Sequence, residues 1–126
     1  GDDVKVILME AKEDHPFVQV ELMMPILPLV RVPDVDQAIE MAVRVEHGNR
    51  HTAMMHSRNV EKLTKMAKLI QTTIFVKNGP SYAGIGVGGE GYTTFTIAGP
   101  TGEGLTSAKS FARRRRCVLV GGMDVR

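Results

Sequence analysis

The residues equipped for chemistry are few: one cysteine, Cys117, four histidines, and a cluster of glycines in a chain of 126 residues. His47, His51 and His56 follow one another at intervals of four and five positions. An i, i+4 pair of imidazoles suits a metal only when both sit on one helix. Gly48 and Asn49 interrupt any such helix, and no ligand cysteine or acidic constellation surrounds the three, so no metal site is expected. His51 opens a strand-like segment directly after a loop, a position where ligand-handling groups of parallel sheets collect. That suits acid–base or orienting work. A hydrogen-bonded structural role suits it equally.

Cys117 follows Arg113, Arg114, Arg115 and Arg116, whose charges would favour the thiolate of an exposed thiol. It also opens the apolar run Val118-Leu119-Val120, where cysteine serves as a small hydrophobe in a strand, and this is the preferred reading. Gly84-Ile85-Gly86-Val87-Gly88-Gly89 satisfies the spelling G-x-G-x-x-G. A dinucleotide turn must leave a strand and open a helix, whereas these glycines run into the strand formers Tyr92 to Ile97. The match is read as accidental, and no Walker lysine follows.

Composition sets the frame for these residues. Hydrophobic residues at 43% and charged residues at 24% describe one globular domain, neither disordered nor fibrous. The formal charge is +2, yet the four consecutive arginines leave the remainder at −2, so a broad basic face for nucleic acid is absent. These arginines are expected on an edge or interface strand, paired with carboxylates. The longest apolar stretch, residues 22–30, contains two prolines and falls well short of the roughly twenty residues of a membrane helix. The start, Gly1-Asp2-Asp3-Val4, has none of the features of a signal peptide and reads as an expression scar or an internal cut. A single cysteine excludes an internal disulfide and favours a reducing compartment. The eight methionines are expected as gap-filling core.

The elements that must position any site alternate. Val4–Met9 and Leu27–Val32 are candidate strands, the second with Pro28 at its start or on an edge. Val35, Ala38, Ile39, Ala42 and Val43 form one stripe of a helix capped by Asp34, with Gln37 completing a variant capping box and Gly48 as a stop. Thr52–His56 is a strand, Val60, Leu63, Ala67 and Ile70 mark a second helix capped by Asn59, and Thr73–Lys77 is a further strand. This order gives an α/β fold with a mostly parallel sheet. Nine of thirteen glycines then fall between Gly79 and Gly104, a long irregular segment of the kind that lines a site or reaches a partner. A short helix at Thr106–Ala112 and a terminal strand at Cys117–Val120 complete the expected order.

At this level the residues carry a family likeness. Glu21-Leu22-Met23-Met24-Pro25-Ile26-Leu27-Pro28 resembles the E-x-F-G-P-V-L-P segment of the aldehyde dehydrogenase superfamily. His47-Gly48-Asn49-Arg50-His51-Thr52-Ala53, Phe75-Val76-Lys77-Asn78-Gly79-Pro80-Ser81, the stretch from Gly89 to Ala98, and Pro100-Thr101-Gly102-Glu103-Gly104 are similar to its coenzyme A-acylating branch. Within that branch they resemble the propionaldehyde and acetaldehyde dehydrogenases of propanediol and ethanolamine utilisation. Phe111 to Val120 is also typical of those enzymes.

The resemblance implies the C-terminal portion of an oxidoreductase. Residues 1–112 would belong to the catalytic domain and residues 113–126 to an oligomerisation strand and tail, completed by a partner subunit. The implied reaction converts propanal or ethanal to acyl-CoA with NAD and coenzyme A through a cysteine thioester. The nucleophilic cysteine would precede this chain, making the fragment alone inactive and prone to association. By the same resemblance Glu21 would accept hydrogen bonds from the nicotinamide ribose, and Met23 would stand beside the nicotinamide where phenylalanine is usual. Met24 replaces the usual glycine, and His51 would lie near the thioester chemistry. Thr94, Thr96 and Ile97 would border the acyl pocket. The implied setting is the cytoplasm or a bacterial microcompartment lumen, with the short-chain aldehyde and the rest of the enzyme as partners, a homo-oligomeric assembly, and neither nucleic acid nor membrane. The competing reading is a stand-alone α/β module that uses the glycine loop for a small ligand or the arginines for a polyanion.

Overall fold

A computed structural model describes residues 3–89, 97–98 and 104–121. Among these residues, six short strands and three α-helices follow in the order β1 (Ile7–Glu10), α1 (Pro16–Gln19), β2 (Ile26–Leu29), α2 (Val35–Val45), β3 (Thr52–Met55), α3 (Val60–Ile70), β4 (Ile74–Lys77), β5 (Ile97–Ala98) and β6 (Gly104–Leu105). Two 3₁₀ turns, Ser81–Ile85 and Ala108–Phe111, lie after β4 and β6. The expected helix at Thr106–Ala112 is thus the second of these short turns. Strand β1 pairs parallel with β2, and β3 parallel with β4. Strands β5 and β6 form a two-residue antiparallel pair. The parallel pairing matches expectation, but among the described residues it is divided between separate two-stranded sheets. Pro28 sits inside β2 opposite Met9 rather than at its start. A two-stranded pair leaves each strand one open side, so the missing N–H costs no ladder bond there.

The α2 boundary follows from its cap. Asp34 is extended, and its Oδ1 accepts the Gln37 N–H at 2.9 Å. The Gln37 amide reaches back to Asp34 Oδ2 at 3.0 Å instead of to the cap's backbone, so the reciprocal bond is between side chains. Asn59 caps α3 in the same manner, accepting the Lys62 N–H at 3.0 Å. The α2 stripe centres on Ile39, 2% exposed, which packs with Met66 and Ile70 of α3. Ala53, Met55 and Phe75 close this core from β3 and β4. The α3 stripe differs from expectation: Val60, at the first helical position, is 70% exposed, and Leu63, Met66 and Ile70 face inward. Val60 is the first residue of α3, next to its Asn59 cap.

Of the described methionines only Met66 is in the buried core, while Met23, Met24 and Met54 are exposed. Alternation explains Met54, because its neighbours Ala53 and Met55 take the face of β3 that packs on the helices. The terminal strand expected at Cys117–Val120 is not formed in the single chain. Residues 113–120 are exposed and have no ladder partner among the described residues, and none of the four arginines joins an ion pair there. A strand needs a neighbour to satisfy its backbone, and the described residues supply none here. No helix among the described residues is long and apolar enough to cross a membrane.

One electrostatic clamp joins the helices. Asp36 in the first turn of α2 accepts Lys62 Nζ at 2.7 Å and Lys65 Nζ at 2.8 Å. The two ammonium groups hold its carboxyl down from 3.8 to about 2. A carboxyl with a depressed folded-state pKa contributes its stability in full above its unfolded value and loses it as pH falls through the folded one. Asp36→Asn is therefore expected to lower the melting temperature at pH 6, with the gap to the unaltered protein closing between pH 4 and pH 2. A gap constant over that window would refute the clamp. The groups are solvent-exposed, so the effect is small.

Candidate functional site

The site is built where α2 hands the chain to β3. Glu46 ends the helix, and His47, Gly48 and Arg50 then adopt left-handed φ of 56°, 77° and 53°. For non-glycine residues this conformation costs roughly 1–2 kcal/mol each, so the turn must be held by its contacts. The Glu46 carbonyl accepts Asn49 N at 3.2 Å and Asn49 Nδ2 at 2.9 Å, and its carboxylate accepts the Arg50 N–H. The carbonyls of Arg50 and His51 then accept Thr73 N at 2.9 Å and Ile74 N at 3.1 Å, starting the ladder with β4. His51 consequently stands at the amino end of β3, with Nδ1 2.7 Å from Thr52 Oγ1. The usual ligand position in parallel sheets is the carboxyl end; here the incoming loop supplies the group.

The opposite wall comes from α1, a four-residue helix not expected between the first two strands. His15 Nδ1 accepts Phe17 N at 3.1 Å, and Pro16 occupies the first helical position, where its missing N–H is harmless. Arg44 of α2 grips the Glu13 carboxylate with two donors, at 2.9 and 3.1 Å, and holds that carboxyl below its ordinary value. This ties the turn to α2 and sets residues 18–21 beside the helix end. Between the two walls lies a cleft of about 690 Å³. Its polar lining includes Gln19, Glu21, Glu46, Asn49, His51 and Thr52, with Ser81 from the first 3₁₀ turn, and Val18, Val20, Val45 and Met54 supply apolar wall.

Glu21 and His51, thirty positions apart in sequence, thus share one cleft. Glu21 is exposed and makes no ion pair among the described residues, so both carboxylate oxygens remain available to hydroxyl donors. That suits a ribose. Met23 does not line this cleft; it is 87% exposed with a left-handed φ of 50°. Ile97 is half-buried in β5 opposite Leu105, away from the cleft lining, and Thr94 and Thr96 lie outside the described residues. Cys117 is exposed and is not part of the lining. Glu46, Asn49, Thr52 and Ser81 escaped the sequence reading. The first two carry a signal in retrospect, an acid and an amide bracketing the helix stop at Gly48.

Two of the described glycines serve packing and turn geometry. A Cβ on Gly84 would meet Ile74 Cγ2 at 2.3 Å, and Gly86 ends the 3₁₀ turn at a φ of 95°. No helix begins at these glycines among the described residues.

The fold is thus an α/β chain that brings an exposed carboxylate and an imidazole to one cleft beside its parallel strands. The chain belongs to the aldehyde dehydrogenase family, whose sequence profile matches residues 5–104. It is 59% identical over 122 residues to the propanal dehydrogenase (CoA-propanoylating) of Citrobacter freundii, covering 97% of this chain and 26% of that protein. The propionaldehyde dehydrogenase of Rhodopseudomonas palustris with bound propionyl-CoA is similar at 76% identity and a TM-score of 0.86, covering 98% of this chain and 27% of that one. An engineered glycolyl-CoA reductase with bound NADP+ gives the same identity and TM-score, over 98% of this chain and 28% of that chain. The chain therefore spans about a quarter of the length of these relatives.

Proposed function

We propose that the whole enzyme containing this chain converts a short-chain aldehyde, propanal or ethanal, to its acyl-CoA, with NAD as oxidant and coenzyme A as acyl acceptor. The observation that carries this reading is the meeting of Glu21 and His51 in one cleft. Glu21 orients the cofactor by accepting hydrogen bonds from ribose hydroxyls. Bound NAD supplies the two-electron acceptor for aldehyde oxidation. His51 serves the thioester stage as an acid–base or orienting group, its Nδ1 engaged by Thr52 so that Nε2 is the nitrogen left for substrate. Met23 borders the nicotinamide, and Thr94, Thr96 and Ile97 border the acyl pocket once the rest of the domain is in place. The nucleophilic cysteine belongs to the portion of the enzyme outside this chain, because Cys117 does not line the cleft.

Residues 1–112 form part of the catalytic domain, and residues 113–126 add a strand to a sheet in a homo-oligomer. The exposed apolar residues Val118, Leu119 and Val120 support that division. The enzyme works in the cytoplasm or in a microcompartment lumen.

The test is an assay of the purified whole enzyme with propanal, NAD and coenzyme A, following NADH by absorbance and propionyl-CoA by mass spectrometry. Propionyl-CoA is expected only when all three are present. Turnover by the isolated 126-residue chain would overturn the assignment of the nucleophile.

A further inference from the structure

Glu46 is placed against its electrostatic preference. The C-terminal end of a helix carries partial negative charge and favours cations, yet an acid ends α2 and lines the cleft. Its carboxylate is committed to the backbone N–H of Arg50, and its carbonyl to both donors of Asn49. Together these bonds close a turn in which His47 and Arg50 hold left-handed conformations, uncommon for residues other than glycine and more so for Arg50 than for His47. The next residue is His51. Freeing the Arg50 N–H would let Arg50 relax to negative φ and swing the backbone that carries the imidazole.

We propose that Glu46 is a positioning residue that acts on catalysis through His51. The inference rests on the reading of His51 given above. Displacement of a reacting group by about 1 Å can cost on the order of 10²-fold in rate, and a loosened turn that still samples the correct geometry costs less. In the whole enzyme, Glu46→Ala is expected to lower kcat about tenfold with the KM for NAD unchanged. Glu46→Gln keeps an acceptor oxygen for the Arg50 N–H and is expected to remain within about threefold of the unaltered enzyme. In a His51→Ala background, Glu46→Ala should cause no further loss, since residues acting as one unit are not additive.

The outcomes separate. If His51→Ala alone is fully active, the reading of His51 fails and the positioning role with it. If His51→Ala is impaired but Glu46→Ala is silent, or its loss persists undiminished in the His51→Ala background, only the positioning role is overturned. Glu46→Met, of similar length without an acceptor, serves in the same cycle should Glu46→Ala not fold.

Discussion

Replacing His51 with alanine in the whole enzyme is expected to lower kcat for CoA-dependent aldehyde oxidation by about 10²-fold or more, the range in which a positioned acid–base group contributes. The loss should fall on the thioester stage. Rapid mixing with aldehyde and NAD would then show NADH formed in a burst, followed by slow turnover, with the acyl-enzyme visible in the intact mass. The affinity for NAD should hold, because Glu21 reaches the cleft from the opposite wall, on the segment fastened through Glu13 and Arg44. Thr52→Val leaves the imidazole in place without its 2.7 Å hydroxyl partner, and so separates presence of the ring from its orientation. Steady-state rates of His51→Ala equal to those of the unaltered enzyme would remove His51 from the mechanism.

The second large effect concerns the core on which that cleft is mounted. Ile39→Ala removes the most buried aliphatic side chain of α2, 2% exposed and packed on Met66 and Ile70. Deleting such a side chain costs about 2–5 kcal/mol through lost transfer energy and the cavity left behind. A clear fall in the melting temperature of the enzyme is expected, with Ile39→Val losing only about 0.5–1.5 kcal/mol. Val60→Ala is the matched control, since Val60 is 70% exposed and surface changes stay within about 0.5 kcal/mol. Equal melting shifts for positions 39 and 60 would show that the contact between α2 and α3 does not stabilise the enzyme.

Local chemistry explains which parts of the fold were legible. The two long helices came from a 3.6-residue apolar period and a short polar cap, and the caps at Asp34 and Asn59 make the expected bonds to Gln37 and Lys62. The strands β3 and β4 came from β-branched and apolar runs within one residue of their observed limits. The turn α1 did not, because its four residues have no periodicity to read, and its stability comes from His15 and from the distant Arg44. Val60 was assigned inward from the period alone, yet it is 70% exposed at the first position of α3.

The same division runs through the site. Residue types and motif spelling determined by themselves that the chain is α/β, that it resembles CoA-acylating aldehyde dehydrogenases, and that Glu21 and His51 were the residues to watch. Tertiary structure alone decided that these two line one cleft, that Met23 does not, and that Glu46 braces the turn before His51. The physical reason is range. Caps, apolar periods and motifs act over a few neighbouring residues, whereas a cleft depends on where the Arg44–Glu13 pair and the β3–β4 ladder bring segments far apart in the chain.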